Sequence, residues 1–145
     1  MKKNQIILSY TYTSERIITL SIGLIFFIFG ALKFFPHFSP AEEIAKKTVN
    51  VLTGNSIPSH ISYFLLAIWE TTIGLFFIIN YKQKLAIILA LIHLTLTFST
   101  FIIFPELSFS KHPFSFTLLG QYIIKNIIIL SVLVSLLTKK NNIND

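Results

Sequence analysis

Three stretches of this chain, Ile17–Phe35, Ile61–Ile79 and Leu85–Phe104, are almost unbroken runs of apolar side chains. Each is about 20 residues long, the length at which a helix crosses the ~30 Å hydrocarbon core of a bilayer. A fourth, Leu118–Leu137, has the same length but is interrupted by Gln121, Lys125 and Asn126. A segment that is apolar on every side is surrounded by lipid or protein, and in hydrocarbon only a helix closes its backbone hydrogen bonds within one segment. Composition agrees, because only 12% of the residues are charged against about 25% in soluble domains. The first run is read as a span and not as a signal peptide: it starts after Arg16, is longer than a signal core, and no small-x-small cleavage site follows it. The expectation is an all-α protein, a four-helix transmembrane bundle forming a single integral membrane domain over residues 1–145.

The loops set the orientation. Lys2, Lys3 and Arg16, then Lys82 and Lys84, then Lys139 and Lys140 all fall on one side, whereas Lys46, Lys47 and Lys111 on the other side are offset by Glu42, Glu43 and Glu106. By the positive-inside rule both termini are cytoplasmic. The formal charge is +6, but the basic residues form short groups between apolar runs and make no continuous face. This points to membrane lipid as the partner and away from nucleic acid. The chain has no Cys, which excludes disulfides, thiolate metal sites and iron–sulfur ligation by its own residues. Any redox role uses a bound cofactor or a partner subunit.

The first extracytoplasmic loop carries a short amphipathic helix, expected over residues 40–53. Ser39-Pro40-Ala41-Glu42 has the form of a capping box with proline at the first helical position. Glu42/Lys46 and Glu43/Lys47 are i,i+4 pairs, and Gly54 marks the end. Such a helix lies on the outer surface or caps the bundle.

Ionisable groups inside spans cost about 2.5–3.5 kcal/mol at the bilayer centre, so each needs a partner or a task. Glu70 lies about nine residues, roughly 13 Å, below the outer end of the second run, and Lys125 roughly 11 Å into the fourth. The matched depths predict that they pair or share a cluster. Lys33, near the outer end of the first run, reaches the headgroups or turns inward to the same region. Gln121 with Lys125, and Tyr122 with Asn126, are i,i+4 pairs that give the fourth run a polar sector, expected to face the bundle. His93 lies roughly 12 Å above the inner end of the third run, and Thr97 and Thr100 continue its face outward, a candidate proton relay. Threonines so placed also commonly bond their own helix. Gly23 and Gly30 share a face of the first run and Gly74 lies in the second, as close helix approach requires. His37, His60, His93 and His112 show no metal-ligand spacing, so no metal site is expected, and no phosphate loop or nucleophile elbow is present.

Gly30-Ala31-Leu32-Lys33-Phe34-Phe35-Pro36, then Ala67-Ile68-Trp69-Glu70 with Ile73-Gly74, Phe104-Pro105-Glu106, and Thr117 to Asn126 with its Gly120-Gln121-Tyr122 and Lys125-Asn126 together resemble the DoxX-like small bacterial membrane proteins. The resemblance covers roughly residues 16–137. It implies a four-helix bundle in the bacterial cytoplasmic (inner) membrane. Some relatives look like the membrane subunit of thiosulfate:quinone oxidoreductase and others are associated with resistance to oxidants, which suggests contact with a quinone or a redox partner subunit. The positions matching the family pattern are Lys33, Glu70, Gln121, Lys125 and Asn126.

Two functions stand open on the sequence. One is a redox-associated membrane subunit, part of a membrane oxidoreductase complex, that contacts a quinone or similar amphiphile through a cluster of Lys33, Glu70, Gln121, Tyr122, Lys125 and Asn126 in the outer half of the bundle. The other is a non-enzymatic scaffold or a small-solute or proton transport protein, in which the same cluster fixes helix register.

Overall fold

The computed structural model describes residues 2–39, 41–110 and 115–142, with side chains described from Tyr12 to Asn141. Pro40, Lys111 and His112, used above for capping, loop charge and metal spacing, lie outside the described residues. The helices are α1 (Lys2–Leu32), α2 (Glu42–Leu52), α3 (Ser59–Ile78), α4 (Gln83–Phe98), α5 (Thr100–Ile103), α6 (Pro105–Ser108), α7 (Leu118–Ile124) and α8 (Asn126–Asn142). The only β pairing among the described residues is one antiparallel bridge between Phe109 and Phe116.

Four helical stretches are long and apolar enough to cross a membrane: Tyr12–Leu32, Ser59–Ile78, Gln83–Ile103 and Leu118–Asn141. By that length and apolarity the chain is an all-α, multi-pass membrane protein, and the four stretches overlie the four expected runs. Their ends differ for local reasons. Toward its start α1 runs well beyond the apolar part, because no Pro or Gly interrupts Lys2–Arg16. At the other end it stops at Leu32, short of the expected Phe35. Lys33, Phe34 and Phe35 close tighter bonds to Gly30, Ala31 and Leu32, and Phe35 precedes Pro36, which disfavours α geometry. The third span breaks for one residue at Ser99, whose hydroxyl donates to the Leu96 carbonyl at 2.6 Å, a local bond that competes with the helix ladder. The fourth breaks at Lys125, between α7 and α8.

The bundle core is Ile22 and Phe26 of α1, Ile73 and Phe77 of α3, Ala86, Ile87, Ala90 and Leu94 of α4, and Leu133 and Leu136 of α8. Outward positions remain large and apolar, for example Ile28, Leu65, Ile92 and Ile128, as lipid contact requires. Lys139 of α8 forms an ion pair with Glu15 of α1, so α8 meets α1 at one end of the bundle. There Arg16 donates to the Phe77 and Ile78 carbonyls at 2.8 and 2.5 Å. It adds a donor to the Phe77 carbonyl, which also accepts from the Asn80 N–H, and supplies one to the Ile78 carbonyl, with a cation on the negative end of the helix dipole.

At the opposite end α2 caps the bundle. Its Thr48 hydroxyl meets that of Thr100 at 3.3 Å, both residues being buried. The expected capping box is not formed. Helix α2 starts at Glu42 with Ala41 at the cap position and no side-chain cap bond. The Glu42 carboxylate does turn back, but its partner is the His37 N–H, at 2.7 Å, which the left-handed turn at His37 (φ 67°) brings within reach. Glu42 also accepts from Lys46 at 2.5 Å. Those two bonds, the Lys46 one foremost, hold the Glu42 carboxyl below its ordinary value of 4.5. Of the two expected i,i+4 pairs only this one forms, and Glu43 and Lys47 both face solvent.

Candidate functional site

The site begins with glycine. A β-carbon on Gly30 would stand 2.5 Å from the Thr71 nitrogen and 2.9 Å from the Glu70 β-carbon, and one on Gly74 would stand 2.4 Å from the Phe27 nitrogen. Only hydrogen fits at either position, so α1 and α3 pack backbone to backbone there. Lys33 follows one turn after Gly30 and Glu70 precedes Gly74 by one turn, so both extend the faces that the glycines press together.

Lys33 and Glu70 meet at that seam. Lys33 Nζ donates to Glu70 Oε2 at 2.6 Å and to its own Phe29 carbonyl at 3.3 Å. The other carboxylate oxygen, Oε1, lies 3.3 Å from His93 Nε2 of α4. The three side chains are 7%, 6% and 16% exposed. His93 reaches this position because α4 turns Ala86, Ala90 and Leu94 inward, and its ring stands edge-on to Phe26, centroids 5.5 Å apart. One carboxylate from α3 is thus held between an ammonium from α1 and an imidazole from α4. In low dielectric such a set persists because each charge has a partner; stranding one is costly.

The expected pairing of Glu70 with Lys125 is not formed. Both Glu70 oxygens are taken by Lys33 and His93, whereas Lys125, Gln121 and Tyr122 are exposed and Asn126 is half-buried. Equal depth places two residues at one level but says nothing about which way each helix faces, and α7 turns Gly120 and Ile123 inward instead. Gly120 is required there, since a β-carbon would stand 2.1 Å from the Ser108 carbonyl oxygen. Thr117 starts α7 by accepting from the Gly120 N–H at 3.1 Å. Tyr122 meets α1 edge-on at Phe29, ring centroids 5.9 Å apart. The track above His93 does not continue as expected either. The Thr97 hydroxyl donates to the His93 carbonyl of its own helix at 2.9 Å, and Thr100 is engaged with Thr48.

Comparison of the chain with protein-family models, with curated proteins and with solved structures gives no match. Among the described residues no group of three His, Asp or Glu is placed to hold a metal ion. The chemistry on offer is that of protons and hydrogen bonds: a carboxylate, an imidazole and an ammonium in mutual contact, with His93 the most open of the three. Depth reasoning on the sequence did not group His93 directly with Lys33 and Glu70. The signal was present in the small-residue faces, Gly23/Gly30 leading to Lys33, Gly74 to Glu70, and Ala86/Ala90 to His93.

Proposed function

We propose that this is a DoxX-like protein of the bacterial cytoplasmic membrane, with both termini cytoplasmic, whose Lys33–Glu70–His93 cluster supports contact with a quinone or similar amphiphile in a redox-associated membrane complex. The observation that carries this reading is the occupancy of both Glu70 oxygens by basic side chains from two other spans, at 2.6 and 3.3 Å. An ionisable residue inside a span is a functional-site hypothesis by default, and this set can hold or pass a proton without leaving an isolated charge. Reducing a quinone to a quinol consumes two electrons and two protons; the electrons come from a partner subunit, and His93 with Glu70 supplies a protonatable pair. The half-exposed Tyr122, which meets Phe29 of α1, and the exposed Gln121 and Lys125 offer an aromatic wall and hydrogen-bond donors to a carbonyl oxygen on the lipid side.

Native mass spectrometry of the detergent-extracted protein, together with photolabelling by an azidoquinone, tests the proposal. Retained quinone, with labelling lost in Glu70→Gln and weakened in Lys125→Met, is the expected result. Absence of quinone, or quinone labelling and oxidant sensitivity unchanged in both variants, refutes it.

The scaffold or transport reading is favoured by one observation: the Lys33–Glu70 pair joins the same two helices that the glycines lock together. On that reading Glu70→Gln alters melting in detergent or ion flux in liposomes and leaves the redox phenotype untouched.

A further inference from the structure

Two buried polar atoms among the described residues have no hydrogen-bond partner, Asn50 Oδ1 and the Tyr63 hydroxyl. Both lie where α2 crosses the start of α3. Asn50 donates through Nδ2 to Ser59 Oγ at 2.7 Å. Tyr63, one turn further into α3, has Lys46 Nζ 5.0 Å from its ring centroid, and its hydroxyl sits beside Ser39 without a hydrogen bond of normal geometry. At the start of α2, away from Asn50 but beside the Ser39 and Lys46 that neighbour Tyr63, a partly open pocket of about 250 Å³ is lined by His37, Ser39, Glu42, Glu43 and Lys46. Every lining residue is polar. Buried polar atoms without a protein partner are normally satisfied by water, and a cavity of this size has room for several molecules at about 30 Å³ each. Tyr63 also lies on the inward face of α3 two turns, roughly 10 Å, from Glu70, and the residue sharing that face between them is Ala67, whose methyl is a small barrier.

We propose that this pocket at the start of α2 is a water-filled vestibule through which, by way of Tyr63, the Glu70 carboxylate exchanges protons with the aqueous side opposite the chain termini. The proposal rests on the proton role given to the cluster above, but not on the identity of any amphiphile. The groups facing Glu70 are Lys33 from α1 and His93 from α4, with Tyr63 above it on α3. The vestibule carries the carboxylates of Glu42 and Glu43 against the ammonium of Lys46, so it favours a small cation over a small anion.

The chain's lack of Cys makes the test direct. Single-cysteine variants Ser39→Cys and Tyr63→Cys, with Leu65→Cys and Ile68→Cys as outward-facing controls, are reconstituted in liposomes and treated with cationic and anionic methanethiosulfonates. The thiolate is the reacting form and needs water around it, so the two vestibule thiols should react at least about tenfold faster than the controls. They should react from the α2 side, and faster with the cationic reagent. Ser39→Cys is nearly isosteric, so it gives the answer even where Tyr63→Cys folds poorly. In the Cys-free protein, an apolar carbodiimide that modifies only protonated carboxyls is applied to liposomes with different pH inside and out. Modification of Glu70, read by mass spectrometry, should follow the pH of the α2 side. Inert vestibule thiols, control of Glu70 by the pH on the terminus side, or no modification of Glu70 at any pH overturns the proposal. Quinone retention is measured separately: loss of the vestibule signals with quinone retained rejects the vestibule alone, and the converse rejects the quinone reading alone.

Discussion

Lys33→Met removes one partner from a buried ion pair and leaves the Glu70 carboxylate, 6% exposed, with only the imidazole at 3.3 Å. Breaking such a pair from one side costs about 3–5 kcal/mol, because the remaining charge stays buried without its counter-ion. The His93 contact offsets part of this when the imidazole is protonated, so about 3 kcal/mol is the working figure. For a chain of this size that corresponds to a fall in melting temperature of roughly 6–12 °C. Removing both charges in Lys33→Met with Glu70→Gln eliminates the stranded carboxylate, so the double variant should be more stable than the sum of the two single losses implies. The expected coupling is about 1–3 kcal/mol, as for residues in one network. Thermal unfolding in a mild detergent, followed by circular dichroism for the wild type and all three variants, provides the cycle. Single losses under about 0.5 kcal/mol that simply add would refute the buried pair.

Other consequences follow from particular contacts. Gly74→Val places side-chain atoms where the Phe27 backbone stands, 2.4 Å from a β-carbon, so α1 must move away from α3; a severe loss of folded protein in size-exclusion chromatography is expected, and a normal elution profile would contradict the close packing. Arg16→Met removes the side-chain donor from the Phe77 and Ile78 carbonyls, of which Phe77 keeps the Asn80 N–H, and should cost about 1–3 kcal/mol, seen as faster amide exchange confined to the last turn of α3 and the turn after it. Thr117→Val removes the acceptor for the Gly120 N–H and should destabilise the start of α7 by about 1 kcal/mol, read from the melting temperature. The Glu42 carboxyl is held below 4.5 in the folded chain, so it stabilises α2 above the unfolded value and that contribution is lost as pH falls through the folded one; amide exchange in α2 should rise below about pH 4.5, and Glu42→Gln should abolish that acid limb.

The four spans were legible because lipid imposes a length and an apolarity that few other environments require. The close approach of α1 and α3 was legible in Gly23, Gly30 and Gly74 for a similar reason: a small residue repeated along one helix face has few uses inside a membrane. The partner of Glu70 was misassigned because depth was used without azimuth. Lys33 follows Gly30 by one turn and Glu70 precedes Gly74 by one turn, so the glycine faces already point one at the other, whereas nothing equivalent joins Lys125 to α3. The polar stripe of α7 was expected inside on the assumption that polar side chains avoid lipid; the steric demand at Gly120 sets the rotation instead and leaves Gln121 and Lys125 exposed. The capping box failed because the left-handed turn at His37 offers Glu42 a nearer N–H than the one its spacing from Ser39 suggests. Arg16 was legible as a basic residue at a span end, but its bonds to α3 depend on how the helices pack in three dimensions.

The central claim is that Glu70 is held inside the bundle by Lys33. Solid-state NMR of protein in lipid bilayers, with ¹⁵N in the lysine side chains and ¹³C in the glutamate carboxyls, measures that contact directly. A strong dipolar coupling between Lys33 Nζ and Glu70 Cδ, lost in Lys33→Met and kept in Lys125→Met, is the predicted result. A Glu70 carboxyl coupled to Lys125, or to no lysine, would contradict the account.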